Sequence, residues 1–287
     1  MKSYKALPAL TIGLCVPGVA VRALHLLNGF EIGTGLPAAG SVWLTACIAL
    51  FALAAVVFAV CALPLRAEKH TPFETLLGTQ NVSFRTAAVT AGLLVALGGV
   101  AYLLTTLRVP EQDAAVWARA LEYVYAALTV IAGASLLGLA GAQGRTMTAR
   151  SAALTLPPLI WSCAHLLVTY RMTCIDPKLP SFGFGLVADV LLVLAFYHLA
   201  RLLYGKPNPS LLAFFSASAT VIAVSDLGGY GVAWLMGMRA VDWPAKTLLR
   251  GGVTVAACVL LLAELFLLAR EPIAEPEMQN VPQSGIE

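Results

Sequence analysis

Apolar residues in this chain neither alternate nor recur with the period of an amphipathic helix; they run in long blocks separated by short polar stretches. The blocks cover Ala6–Asn28, Ser41–Leu63, Arg85–Leu107, Ala118–Gly141, Ser151–Met172, Gly183–Tyr204, Ser210–Gly237 and Lys246–Ala269. A helix rising 1.5 Å per residue needs about 20 mostly apolar residues to cross about 30 Å of hydrocarbon. Every block meets that length. Backbone polar groups in lipid are satisfied only inside helices or closed barrels. The pattern therefore predicts an all-α fold: a polytopic membrane protein built as a bundle of eight transmembrane helices. It leaves almost no chain for a soluble domain.

The residues between and within the blocks refine this picture. Pro8 and Pro17 interrupt the first span, and Pro157-Pro158 break the fifth near its start, because proline removes a helical backbone bond. In the longest loop, Pro64–Phe84, Thr71-Pro72-Phe73-Glu74 reads as a capping box opening a short interfacial helix anchored by Phe73, Leu76 and Leu77. Asn208-Pro209 reads as N-cap and first residue of span seven. Gly92, Gly98 and Gly99, and the row Ala134, Gly138 and Ala142, give close-packing surfaces. Asp226 followed by Gly228-Gly229-Tyr230-Gly231 marks a stretch expected to unwind locally, as broken helices do at transporter sites. The tail from Arg270 to Glu287 has no periodicity and is expected to be disordered.

Composition agrees with the pattern. Hydrophobic residues make up 59% and charged residues 11%, with a mean hydropathy of +0.84, against about 25% charged in soluble domains. A net charge of +3 without any basic run gives no case for nucleic acid. The lipid bilayer is the one partner the composition demands. The six cysteines contain no C-x-x-C pair and read as small buried hydrophobes. The N-terminal stretch imitates a signal peptide, but its apolar run continues through Val21–Leu27 and carries Arg22 and His25, so a retained first span is expected. Placing the N-terminus inside puts ten Lys and Arg on the inner side and seven outside, which with Arg22 in span one accounts for all 18. Both termini are thus expected to be cytoplasmic, in the cell membrane.

The two halves echo each other. Ala23-Leu24-His25-Leu26-Leu27 matches Cys163-Ala164-His165-Leu166-Leu167, and Leu36-Pro37 matches Leu179-Pro180. Leu128-Thr129-Val130-Ile131-Ala132 matches Val253-Thr254-Val255-Ala256-Ala257 in the same order. With four spans per unit this is a candidate parallel repeat, 6–141 and 151–269. Coincidence in low-complexity apolar sequence is the competing explanation.

Charged groups inside spans are costly and generally face a bundle interior or water-filled cavity. Counting 1.5 Å per residue from each span's midpoint, Arg22 lies about 8 Å outward, His165 about 5 Å, Asp189 about 8 Å and Asp226 about 6 Å. His25, Glu122 and Arg250 form an outer rim near about 12 Å. His198 and Glu264 fall on the inner side. Two readings follow for the layer of Arg22, His165, Asp189 and Asp226. It is a buried ion-pair network fixing helix packing, or a polar pocket for an ion or small solute, with Asp189 and Asp226 as ligands and Arg22 as counter-ion.

No H-x-x-x-H or H-E-x-x-H spacing supports a metal, and no cofactor motif is present. There is no G-x-S-x-G elbow or phosphate loop, and Ser162 with His165 does not make a dyad, so no catalytic residue is assigned. The function classes left open are a solute or ion permease, a membrane-embedded partner subunit or sensor, and an intramembrane enzyme.

In the second half, Pro158-Leu159-Ile160-Trp161, Tyr170-Arg171, Asp176-Pro177, Leu194-Ala195-Phe196-Tyr197-His198-Leu199-Ala200 and Gly205-Lys206-Pro207 form a pattern over roughly 156–226. It resembles uncharacterised multi-span membrane proteins of anaerobic Gram-positive bacteria. The resemblance implies a membrane fold and no activity.

Overall fold

The structure, a computed structural model, describes residues 3–31, 33–79, 81–108, 116–142, 148–173, 179–237 and 243–270. Its long helices are α1 (Leu7–Asn28), α2 (Val42–Ala62), α3 (Val82–Arg108), α4 (Val116–Ala142), α5 (Leu156–Thr173), α6 (Leu179–Leu203), α7 (Pro209–Leu235) and α8 (Ala245–Leu268). All eight lie in segments long and apolar enough to cross a membrane. The chain is a multi-pass, all-α membrane protein. The expected disorder of 271–287, Cys174 and the Asp176-Pro177 loop fall outside the described residues.

The bundle is inverted relative to a soluble protein. Large apolar side chains such as Val16, Leu53, Leu97, Leu167 and Leu235 point outward, while Arg22, Glu122, Asp189, Arg250 and Glu264 are buried. In lipid this is the low-energy arrangement, since acyl chains solvate leucine well and a lone charge badly.

Helices α3 to α8 form a closed ring: α3 packs on α4, α4 on α5, α5 on α6, α6 on α7, α7 on α8, and α8 back on α3. Outside it, α1 lies along α7, and α2 covers α1 and α7. Small residues permit the closest approaches. A Cβ on Gly133 would stand 2.5 Å from the Ala96 backbone nitrogen, and one on Gly99 2.9 Å from that of Val130, so α3 and α4 touch along their backbones. On α7, a Cβ on Gly229 would stand 2.7 Å from Arg22 Cβ and 3.1 Å from the Ala23 nitrogen.

That use of glycine corrects the expectation of an unwound segment. α7 runs unbroken through Asp226–Gly231; Gly228 and Gly229 let α1 approach rather than let the helix open. The capping box also fails. Pro72 occupies the N-cap position without a side-chain bond, and the Thr71 hydroxyl donates instead to Glu68 Oε2 at 2.8 Å. The one-turn helix Phe73–Leu76 is anchored to the bundle itself. Phe73, Leu76 and Leu77 are buried in the core, where the bundle end offers them apolar partners. The fifth span runs Ser151–Thr173, its start divided between a short helix, Ala149–Ala153, and α5, whose first turn holds Pro157-Pro158. Asn208 does cap α7, its side chain accepting from the Leu211 nitrogen.

Candidate functional site

Four helices of the ring, α5 to α8, enclose a cavity near the C-terminal ends of α5 and α7 and the N-terminal ends of α6 and α8. His165 and Thr169 from α5, Gly185 and Asp189 from α6, Asp226 from α7, and Arg250 and Thr254 from α8 line it, with Trp243 beside the start of α8. About 50 Å³ is open to the centre of a water molecule. At 10–15 Å³ per water on that measure, this is room for about three to five waters or one small solute.

Two polar centres meet this space. In the first, Arg22 Nε and Nη2 both donate to Asp226 Oδ1, at 2.9 and 2.8 Å. Arg22 Nη1 lies 2.6 Å from His25 Nδ1, and the guanidinium covers the Phe184 ring at 4.8 Å. Nothing is committed to Asp226 Oδ2 among the described residues; it stands 3.0 Å from where a Cβ on Gly185 would be. Asp226 is thus held from α1 by one oxygen.

In the second centre, His165 Nε2 lies 3.1 Å from Asp189 Oδ1 and 2.9 Å from Thr254 Oγ1. The Thr254 hydroxyl donates to Asp189 Oδ1 at 3.1 Å, and Tyr125 OH meets His165 Nδ1 at 2.8 Å. Both ring nitrogens of His165 are thus engaged, Nδ1 by the Tyr125 hydroxyl and Nε2 by Thr254 and Asp189, while Thr254 donates to Asp189. Trp161 packs on the imidazole at 5.3 Å and donates to Thr129 Oγ1 at 3.0 Å. Among the described residues Asp189, like Asp226, is contacted only at Oδ1.

The wall also holds polar groups that are not satisfied. Arg250 is buried, with Met172 Sδ and Thr247 Oγ1 as its hydrogen-bonding neighbours. Its Nε has no partner among the described residues, nor do Trp243 Nε1 and Thr169 Oγ1. An unmade hydrogen bond at a buried donor costs about 1–3 kcal/mol, so three on one small wall is a concentration that calls for an occupant.

The layer expected from the sequence is therefore divided. His165, Asp189 and Asp226 share the cavity, and Arg22 reaches it through Asp226. The outer three separate. His25 joins Arg22, Arg250 enters the cavity wall, and Glu122 pairs with Lys246 at 2.6 Å away from the cavity lining. Tyr125, Thr254, Thr169 and Trp243 escaped the sequence reading because none is charged. The one signal was Thr254, a turn beyond Arg250 on the same helix face.

Compared with family models, curated proteins and solved structures, the chain matches none. The chemistry of its site is left to its own residues. Among those described, no three His, Cys, Asp or Glu side chains are grouped to hold a metal ion. Ser162 donates to the Leu159 carbonyl and not to His165. What the cavity offers is carboxylate oxygens, cationic and neutral N–H donors, hydroxyls, and space.

Proposed function

We propose that this chain binds a small polar solute or ion in the outer half of its transmembrane bundle and acts as a permease-type protein of the cell membrane, with both termini cytoplasmic. Asp189 and Asp226 are the ligand carboxylates, His165 positions Asp189, and Arg22 is the counter-ion of Asp226. The single observation that supports this is the cavity itself. Charged side chains from three helices converge on a space large enough for a solute, where a packing network alone would need no space. Binding is tested on the full-length chain in detergent, by thermal stabilisation with sodium, ammonium, acetate and glycine. Asp189→Asn is isosteric and keeps an Oδ1 acceptor for Thr254, so it should abolish stabilisation by sodium, ammonium and glycine while leaving the ligand-free chain folded. No saturable stabilisation by any of the four, or full retention in Asp189→Asn, overturns the reading.

A second reading has its own support. Arg22–Asp226 ties α1 to α7, and Lys246–Glu122 ties α8 to α4, so part of the buried charge serves packing. In a partner subunit or sensor that would be its whole role. Such a chain would bind none of the four probes, and replacing the pair with apolar residues of similar volume would leave its partner bound.

A further inference from the structure

Within the cavity, two opposite charges face the same space without touching. Asp189 is contacted through Oδ1 alone by His165 Nε2 and the Thr254 hydroxyl, and no Arg or Lys touches it among the described residues. Arg250 has no carboxylate in contact among the described residues; its guanidinium meets only the Met172 sulfur and the Thr247 hydroxyl. Asp226, by contrast, is neutralised by Arg22. Arg250 and Thr254 lie one helical turn apart on α8, about 6 Å of rise. Arg250 therefore starts about one turn of α8 from the threonine that Asp189 contacts.

A buried unpaired charge is expensive, and two of opposite sign in one low-dielectric space are relieved best by a molecule carrying both complements. A simple cation would serve Asp189 and raise the repulsion at Arg250; a simple anion would do the reverse. The unsatisfied donors cluster with the cation: Arg250 Nε, Trp243 Nε1 and the Thr169 hydroxyl are all buried on this wall without partners among the described residues. Guanidinium and indole N–H groups together are what a carboxylate takes. At the other end, the uncommitted Oδ2 atoms of Asp189 and Asp226 accept from an ammonium. The open volume limits the molecule to a handful of heavy atoms.

From this we infer that the ligand is a small zwitterion of the α-amino-acid type, its carboxylate held by Arg250 and Trp243 and its ammonium by Asp189 and Asp226. The inference rests on the cavity being a solute site. Titration calorimetry on the full-length chain with glycine, acetate and methylammonium separates the two ideas. Saturable glycine binding at least tenfold tighter than either single-ended probe is expected. Arg250→Gln should weaken glycine and acetate at least tenfold and leave methylammonium unchanged. If that variant does not fold, Trp243→Phe keeps the aromatic stack on Tyr230 and removes only the indole donor; it should weaken the same two probes and spare methylammonium. Acetate or methylammonium binding as tightly as glycine overturns the zwitterion and leaves the solute site standing. No saturable binding of any of the three overturns the zwitterion, and overturns the solute site as well if sodium also fails to stabilise the chain.

Discussion

Two nitrogens of Arg22, Nε and Nη2, converge on one oxygen of Asp226, Oδ1, and so tie α1 to α7 deep in the bundle. The geometry leaves Oδ2 for the cavity, which makes this pair both a fastening and part of a site. Removing the carboxylate takes this ion pair from Arg22, which is fully buried. Asp226→Asn should therefore destabilise the chain by about 3–5 kcal/mol, the cost of a broken buried pair, read as a lowered midpoint in detergent unfolding. Combining Arg22→Met with Asp226→Leu should recover much of that loss while abolishing solute binding. Equal destabilisation by the single and double variants would show that the pair does not hold the helices.

Gly229 and Gly231 lie two residues apart on α7 and should respond in opposite ways. A Cβ at Gly229 meets Arg22 and the α1 backbone, whereas one at Gly231 meets nothing within 4 Å. Gly229→Ala is expected to cost about 1–3 kcal/mol through overpacking. Gly231→Ala should be neutral or slightly stabilising, since alanine is the better helix former. Thermal unfolding of the two variants side by side checks this; similar effects would contradict the tight α1–α7 contact.

The span pattern was legible because length and apolarity alone decide what crosses a bilayer. The layer was legible in part, because axial depth follows from residue count: His165, Asp189 and Asp226 do share a cavity, and Arg22 touches it through Asp226. Which side chain meets which was not legible. Glu122 and Lys246 are 124 residues apart and pair only because the ring closes by packing α8 against α3, beside α4. Arg250 was placed at the rim from its Cα position, yet its long side chain is buried in the cavity wall. The glycines after Asp226 were misread for a similar reason: the same residue permits unwinding or close approach, and only the neighbouring helix decides.

Tyr125→Phe tests the second polar centre. The change keeps the ring and its edge contact with Tyr102 at 4.8 Å but leaves His165 Nδ1 without its hydroxyl partner. A loss of about 1–3 kcal/mol is expected for the stranded buried group, with weaker solute binding because His165 no longer fixes Asp189. An unfolding midpoint identical to the parent chain would show that the bond contributes nothing.

Gly185 gives a way to fill the cavity without removing a charged group. A Cβ there would lie 3.0 Å from Asp226 Oδ2, whereas Gly183, half a turn away on α6, has open space. Gly185→Ala should lower solute affinity severalfold with the fold intact, and Gly183→Ala should be silent. Calorimetry on both distinguishes a site at Asp226 Oδ2 from one elsewhere.

Water access to the cavity from the outer face is the claim on which the rest stands. Thr247→Cys places a thiol on the cavity wall near the start of α8, and Val259→Cys places one on an apolar, outward-facing position of the same helix. Intact cells are treated with a charged, membrane-impermeant methanethiosulfonate, with the unsubstituted chain as background. Labelling at position 247, slowed by glycine, with none at 259, is the predicted result. An unreactive thiol at 247, or equal reaction at both positions, would contradict a solvated site among these helices.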